Sequence, residues 1–540
     1  MLHNDFYWYK NAVFYEVQTR AFYDSDGDGQ GDLAGLCQKL DYLQELGVDC
    51  IWLLPIYASP LRDGGYDISD FCDIHPDFGT LDDLKKLLAA AHEHGMRIIM
   101  DLVLNHTSDQ HRWFQAARAD RNSAYRDYYV WSDTDQKYKD ARIIFLDTEK
   151  SNWSWDEQAG QYFWHRFYSF QPDLNYDNPA VQAEMLGVID FWLALGFDGF
   201  RVDAVPYLIE REGTSCENLP ETHAFLKEMR RFVDEKYPGR VLLCEANQWP
   251  QEVRAYLGDG DEFQLAFHFP VMPRIFMALR QGDYTPIRWA LEQTPPIPEN
   301  CQWCTFLRNH DELTLEMVTP AERQWMWQEY APEAGMRLNL GIRRRLAPLL
   351  DNNPQKILLA YSLLFTLPGS PVIYYGDEIG MGDDISLPDR DGVRTPMQWD
   401  SSKKAGFTTS DHPYVPVIHS PDYGPKWVNV ADERNDQSSL LSAVRRMIAL
   451  RKQHAVLATG KLEQVDGLPR SVAAFYRTGE DEFFLILHNL GNSAQAISLA
   501  LPAGSGPKVF DVVSEREIEL QKGKLNLILR TNEFYWLKLR

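Results

Sequence analysis

Apolar residues along the chain fall in short β-rich runs separated by polar and amphipathic stretches. The runs are AVFYEVQTR (12–20), VDCIWLLP (48–55), RIIMDLV (97–103), FDGFRVD (197–203), RVLLCEA (240–246), EFQLAFH (262–268), QWCTFLRN (302–309) and PVIYYGDE (371–378). Helical periodicity near 33–46 and 81–94 separates the first three. Alternation of this kind predicts a parallel sheet, and eight such units can close it into a (β/α)₈ TIM barrel. A doubly wound open sheet is the structural rival, but no Gly-rich nucleotide loop follows the first strand.

Three segments break the alternation. Residues 105–178 are rich in Trp, Tyr, Asp and Asn and too long for a plain βα loop, so they read as a small domain inserted after strand three. Residues 312–360, including GMRLNLGIRRRLAPLL, read as a polar, helix-prone insertion after strand seven. Beyond about 455 the pattern becomes strands and turns, which predicts an antiparallel β-domain. The expected layout is a barrel at 1–104 and 179–454, an inserted domain at 105–178, a helical lid at 312–360 and a C-terminal β-sandwich at 455–540.

Composition narrows the partners. The 540-residue chain carries a formal net charge of −24, which argues against nucleic acid or anionic lipid, because both need a basic footprint. No apolar run has the length of a membrane span, and the first ten residues lack the pattern of a signal peptide, so a cytoplasmic location is expected. The seven cysteines are odd in number and widely spread, which fits reduced thiols. Cys301 and Cys304 form a lone CxxC without a second pair, which fits a buried strand better than a zinc site.

The position of the acids carries the chemistry. Catalytic groups of a barrel sit where strands end and βα loops begin. Strand three runs into DLVLNH (101–106), strand four ends in GFRVD (199–203), strand five in CEAN (244–247) and strand seven in RNHDE (308–312). One aspartate at a strand end is an ordinary cap. Three acids converging on one cavity are costly to desolvate and repel one another, which is hard to reconcile with a purely structural role.

These four segments, in this order and spacing, resemble the conserved regions of the α-amylase superfamily, glycoside hydrolase family 13. The resemblance extends over nearly the whole chain, including GGYDISD (64–70) and QPDLN (171–175). It implies Asp203 as nucleophile, Glu245 as general acid/base and Asp311 as transition-state stabiliser. It also implies that Arg201 orients Asp203 and that Tyr66, Asp67, His106, Gln171, His310 and Arg394 bind the sugar. A retaining glycosidase needs one ionised and one protonated carboxyl group flanking the anomeric carbon. Arg201 should keep Asp203 ionised, while burial and like charge should raise the pKa of Glu245. His106 and His310 lack a third ligand at metal spacing, so sugar contact is the better reading of both.

CEANQWP (244–250), FHFPVMPRIFMALR (267–280) and GMRLNLGIRRRLAPLLDNN (335–353), with RTPMQW (394–399), resemble the branch of that family that isomerises maltose to trehalose, with some hydrolysis to glucose. The rival within the family is an α-glucosidase or oligo-1,6-glucosidase with the same acids. A non-catalytic, membrane-anchored relative is disfavoured because Asp203, Glu245 and Asp311 are all present. Isomerisation needs a closed pocket, and the insertions at 105–178 and 312–360 are the candidate walls. The bland alternative is that 312–360 only pads the rim and that Arg343, Arg344 and Arg345 form a solvated charge run.

The stretch DSDGDGQGD (24–32) spaces Asp24, Asp26 and Asp28 as an EF-hand does, but Gly35 stands where that loop needs its glutamate. The family resemblance implies a structural Ca²⁺ here, with Mg²⁺ as an alternative, held by Asp24, Asp26, Asp28 and Asp32 and the Gln30 carbonyl. It implies a second Ca²⁺ at Asn105, Asp173 and Glu210 with the carbonyls of Tyr207 and Leu208. It also suggests a homodimer, and no organic cofactor is expected.

Overall fold

The computed structural model describes residues 5–502 and 506–539; residues 1–4, 503–505 and 540, which fall in the expected first and last domains, lie outside the described residues. Eight parallel strands close a barrel in strict chain order. They are β1 (Phe14–Val17), β2 (Cys50–Leu53), β3 (Arg97–Val103), β4 (Gly199–Asp203), β5 (Val241–Cys244), β6 (Leu265–Phe267), β7 (Gln302–Phe306) and β8 (Ser370–Tyr374). Each lies inside one of the eight predicted runs, or begins one residue before it in the case of β8. Every position of β1, β2 and β4 to β8 is buried. Helices cover the outside of a parallel barrel and side chains fill its inside, so such strands read as continuous apolar runs rather than alternating ones.

Local chemistry sets the joints. Thr80 and Asp83 form a reciprocal capping box that starts the helix Leu81–Glu93. Asn178 caps the helix Pro179–Leu195, with proline in its first turn. Gly199 opens β4 at φ 151°, and a Cβ there would lie 2.0 Å from the carbonyl oxygen of Val241. Glycine therefore lets β4 approach β5 closely, immediately before the Arg201 and Asp203 positions.

The chain leaves the barrel after β3 and returns before the helix at Pro179. Between these points lie a helix (Arg112–Ala119) and a three-stranded sheet of Trp131–Ser132, Gln161–Trp164 and Trp153–Asp156. Exit and return are paired, with Leu174 N–H donating to the Asn105 carbonyl at 2.8 Å. After β7 the structure corrects the expectation of a helical insertion over 312–360. One helix (Pro320–Tyr330) is followed by a hairpin pairing Arg337–Leu338 with Gly341–Ile342 and a single turn at Leu346–Leu349. The hairpin forms because Asn339 takes a left-handed conformation at its tip (φ 48°), which divides GMRLNLGI into two short extended arms. Residues from Pro354 to Thr366 are a long, mostly buried helix that leads into β8, so the end of the expected lid falls within a barrel helix.

Arg343, Arg344 and Arg345 are not a solvated run. Arg345 is fully buried against Asp377, and Arg344 pairs with Asp383 at 3.0 Å. Arg343 donates to the carbonyls of Gly335, Ile385, Leu387 and Asp389. The run ties the insertion after β7 to the loop after β8.

The C-terminal part holds a six-stranded antiparallel sheet and the pair Gln495–Ala500 with Lys524–Leu529. Arg451 and Arg477 are buried near this junction and donate only to backbone carbonyls, which satisfies chain ends that meet there. All seven cysteines are free, and Cys304 lies within β7, with Cys301 immediately before it. Among the described residues, no helix is long and apolar enough to cross a membrane.

Candidate active site

The C-terminal ends of the barrel strands lead into a cleft that is open to solvent. Asp203, Glu245, Asp311, Tyr66 and His106 line it, together with Asp63, Phe145, Phe167, Phe269, Asn247, Glu312, Glu316 and Arg390.

At its floor, the buried Arg201 guanidinium holds three carboxylates at once. Nη1 meets Asp101 at 2.5 Å and Asp203 at 2.6 Å, while Nη2 meets Glu245 at 2.6 Å. Arg201 and Asp203 lie two residues apart on β4, so both side chains point into the barrel. Asp101 arrives from β3, and its other oxygen accepts from the Trp52 indole at 2.7 Å. Glu245 follows β5, and its Oε2 accepts the Ala204 N–H at 3.1 Å. Ala204 holds φ 52°, a strained conformation for a residue with a Cβ, which aims that N–H across the site.

Burial pushes the Glu245 carboxyl up to about 8, opposed by Arg201 and reinforced by Asp203 and Asp311. Burial also raises Asp203, to about 6, against the pull of Arg201. Arg201 thus limits the rise at Asp203 without reversing it. At neutral pH the pair has one ionised and one protonated member. Asp311 differs: burial works against its charge, but His310, Arg390 and Arg394 outweigh it and hold the carboxylate well below its usual range. Arg390 Nε and Arg394 Nη2 lie 2.9 and 3.0 Å from Asp311 Oδ1, and His310 Nε2 lies 3.1 Å from Oδ2.

The expected sugar-binding residues divide into two groups. Tyr66 and His106 face the cleft, and both imidazole nitrogens of His106 are buried without a hydrogen-bond partner, as a group awaiting a ligand hydroxyl would be. Burial lowers the His106 pKa to about 3, so that ring is neutral. His310, Arg394, Gln171 and Arg201 instead hold other residues in place. Gln171 donates to Asp63 at 2.8 Å, and Arg394 binds the His310 carbonyl as well as Asp311.

Asp67 does not reach the cleft, contrary to expectation. Its oxygens accept from Ser59 Oγ and from the backbone N–H groups of Asp63 and Arg62 at 3.0 to 3.2 Å. It organises a loop in which Asp63, rather than Asp67, lines the cleft. Gly64 and Gly65, both at positive φ, follow Asp63 in this turn. Arg390 and the aromatic wall were also missed, because they lie in loops whose path the strand pattern does not set.

Three elements form the roof. Arg142 of the inserted domain binds Glu217 at 2.8 Å, Glu316 at 2.9 Å and the Tyr207 hydroxyl at 3.0 Å. Glu316 also accepts from Asn247 at 3.1 Å. Arg390, after β8, pairs with Glu312 at 3.0 Å and stacks over Phe145 of the inserted domain.

The expected metal ligands are placed as follows. Asp24, Asp26 and Asp28 bring carboxylate oxygens within 4.8 Å of one another. Gly29 lies against the His412 carbonyl, where a Cβ would come within 2.1 Å. Asp32 is engaged elsewhere: it caps the helix Leu33–Gln38 through Gly35 N–H at 2.6 Å and binds both the N–H and hydroxyl of Ser25. The Gln30 side chain bonds Arg20 and Asp77, leaving only its carbonyl for the expected role. At the base of the inserted domain, Asn105 Oδ1, Asp173 Oδ2 and Glu210 Oε1 are buried without a hydrogen-bond partner. Tyr207 and Leu208 adjoin Glu210 in the loop after β4.

An eight-stranded barrel whose strand ends present one ionised and one protonated carboxyl group around a buried arginine defines an enzyme of glycosidic bonds. The chain belongs to the α-amylase family: the α-amylase catalytic domain model matches residues 16–333 and 343–460, and the maltogenic amylase C-terminal domain model matches 462–536. A trehalose synthase/amylase of Mycobacterium tuberculosis is 56% identical over 98% of this chain and 90% of its own length. A trehalose synthase of Pimelobacter is 53% identical over 98% of this chain and 96% of its own. Among solved structures, the trehalulose synthase of Pseudomonas mesoacidophila superposes with a TM-score of 0.78 at 29% identity, covering 99% of both chains.

Two predictions follow from this geometry. The kcat/KM profile should be bell-shaped, rising as Asp203 ionises near pH 6 and falling as Glu245 loses its proton near pH 8, with Glu245→Gln abolishing the alkaline limb along with most of the rate. A profile flat from pH 5 to 9 would contradict the assignment. Asp63→Asn should lower kcat/KM by at least about tenfold with little change in melting temperature, because Asp63 lines the cleft. Asp67→Asn should chiefly lower the melting temperature, as measured by calorimetry.

Proposed function

We propose that the chain is a trehalose synthase, interconverting maltose and trehalose within a closed pocket. The roof carries this reading. Salt bridges from Arg142 join the inserted domain to Glu217 and to Glu316 after β7, and Arg390 after β8 stacks on Phe145 of the inserted domain while pairing with Glu312. The identity to the mycobacterial and Pimelobacter enzymes supports the same activity.

The reaction divides into two displacements. The Asp203 carboxylate attacks the anomeric carbon of the non-reducing glucose, while Glu245 gives its proton to the O4 leaving atom. A β-glucosyl ester on Asp203 and a free glucose result. That glucose turns within the cleft and presents its anomeric hydroxyl to Glu245, now ionised. Glu245 takes the proton, the oxygen attacks the ester carbon, and Asp203 departs as carboxylate. Two inversions give net retention and an α,α-1,1 bond. Asp311 remains anionic beside its two arginines and stabilises the positive charge that develops on the sugar. Isomerisation requires that water be kept from the ester, which it would otherwise capture to yield two glucose molecules, and the roof is the element placed to do so.

Two structural cations accompany this reading. Asp24, Asp26 and Asp28, with the Gln30 carbonyl, offer a hard-oxygen set suited to Ca²⁺, or to Mg²⁺ with more waters retained. Asp32 serves the loop as a helix cap. Asn105, Asp173 and Glu210 suit a second Ca²⁺, because three buried oxygens, two of them on acids, lack any other partner. Burial raises Asp173 to about 8 and lifts Glu210 well above the usual carboxylate range, the strain a cation would relieve. Both would clip loops to the barrel and take no part in bond making. The free cysteines support a reducing, cytoplasmic setting.

Incubation with maltose should give trehalose as the major product, and Asp203→Ala should abolish it. Glucose with no detectable trehalose would make the chain a hydrolase instead. Arg142→Ala opens the roof without touching the acids, so the ratio of glucose to trehalose should rise severalfold. For the cations, elemental analysis should find about two Ca²⁺ per chain, and chelation should lower the melting temperature, restored by added Ca²⁺. Metal-free protein with an unchanged melting temperature under chelation would rule both sites out.

A further inference from the structure

Glu16 is a buried acid that the mechanism above leaves unused. It lies on β1, does not line the cleft, and has no lysine or arginine nitrogen within ion-pair distance among the described residues. Its Oε1 accepts the backbone N–H of His310 at 3.1 Å and lies 2.5 Å from Nδ1 of the same residue. On the other side of the ring, Nε2 lies 2.8 Å from the Tyr66 hydroxyl and 3.1 Å from Asp311 Oδ2. Tyr66 stacks on the imidazole at 5.5 Å and Trp52 meets it edge-on at 5.8 Å, so the ring cannot turn away.

Each ring nitrogen therefore faces a carboxyl oxygen, but a neutral imidazole beside two carboxylates carries a single N–H. With that proton on Nδ1, the Nε2 lone pair would point at Asp311, and the nearer Tyr66 hydroxyl does not relieve this, because it donates its own proton to Asp101 Oδ1 at 3.2 Å. Two protons in the Glu16–His310 pair remove the conflict, one shared between Oε1 and Nδ1 and one on Nε2. The shared proton can sit on either side. Imidazolium with carboxylate and imidazole with carboxylic acid have the same composition, and both leave an N–H at Nε2. Burial opposes the charged form of each group, which favours the second description and leaves the proton count unchanged.

We propose that Glu16 is a positioning residue for glucosyl transfer, forcing Nε2 of His310 to be a hydrogen-bond donor aimed at Asp311 and the adjoining sugar hydroxyl. Its bearing on catalysis rests on the function assigned above; its bearing on the proton does not. A donor at Nε2 pins Asp311 Oδ2, leaves Oδ1 to the two arginines, and orients the carboxylate toward the sugar. An acceptor at Nε2 would repel it.

Glu16→Gln separates the two states. The atom that accepts the backbone N–H of His310 must remain an oxygen, so the amide takes Nδ1–H and leaves Nε2 bare. Nitrogen NMR of histidine-labelled protein, with His310 assigned from an H310N sample, should show a protonated Nε2 in the wild type and an unprotonated one in E16Q. The kcat for maltose should fall roughly 10- to 100-fold in E16Q, as when the carboxylate orienting a functional histidine is lost, with a smaller change in KM. An unprotonated Nε2 in the wild type would overturn the proposal, as would an E16Q enzyme with wild-type kcat. Should E16Q fail to fold, the wild-type spectrum still decides. Should wild-type protein fail to act on maltose, the assigned function falls while the spectrum still reads the proton.

Discussion

The guanidinium of Arg201 is the contact on which the site depends. Asp101, Asp203 and Glu245 all lie within 2.6 Å of it, inside a barrel whose strands are buried on every face. Carboxylates brought together in a low dielectric cannot all remain charged. One cation shared among three acids leaves a proton to be held, and Glu245 holds it because burial disfavours its charge and Asp203 and Asp311 add to that effect. The division of labour between nucleophile and acid thus follows from burial and from how unequally the neighbouring charges act on the two groups.

The same logic extends outward. Asp311 is held in its charged form by residues from two different loops, and those loops are fastened to the structure by Arg343, Arg344 and Arg345. That run fixes the segment that carries Arg390 and Arg394. Arg390 serves both levels, binding Asp311 below and Glu312 with Phe145 above. One side chain thus contacts both an acid of the site and the inserted domain above it.

Much of this was legible along the chain. Strands buried on both faces are continuous apolar runs, so all eight could be read, and functional acids at strand ends follow from barrel geometry. Asp203, Glu245, Asp311, Tyr66 and His106 stand at such ends or in motifs beside them, and all face the cleft. Loop residues were less legible. Asp67 and Asp63 are four positions apart in one acidic, glycine-rich turn, and nothing in the local pattern says which of them turns inward. The hairpin at 337–342 was hidden for a similar reason, since its arms are two residues each and too short to show a period.

Sequence alone predicted eight parallel units that can close a barrel and acids at their strand ends, because hydrophobic periodicity and strand-end position are local properties; the parts assigned to Asp203, Glu245 and Asp311 came with the family resemblance. Tertiary structure decided which carboxyl group keeps the proton, which aspartate lines the cleft, and that Glu16 lies against His310, almost three hundred positions away. Those outcomes depend on distances between groups brought together from different strands and loops, and a pKa or a hydrogen bond exists only once such distances are set.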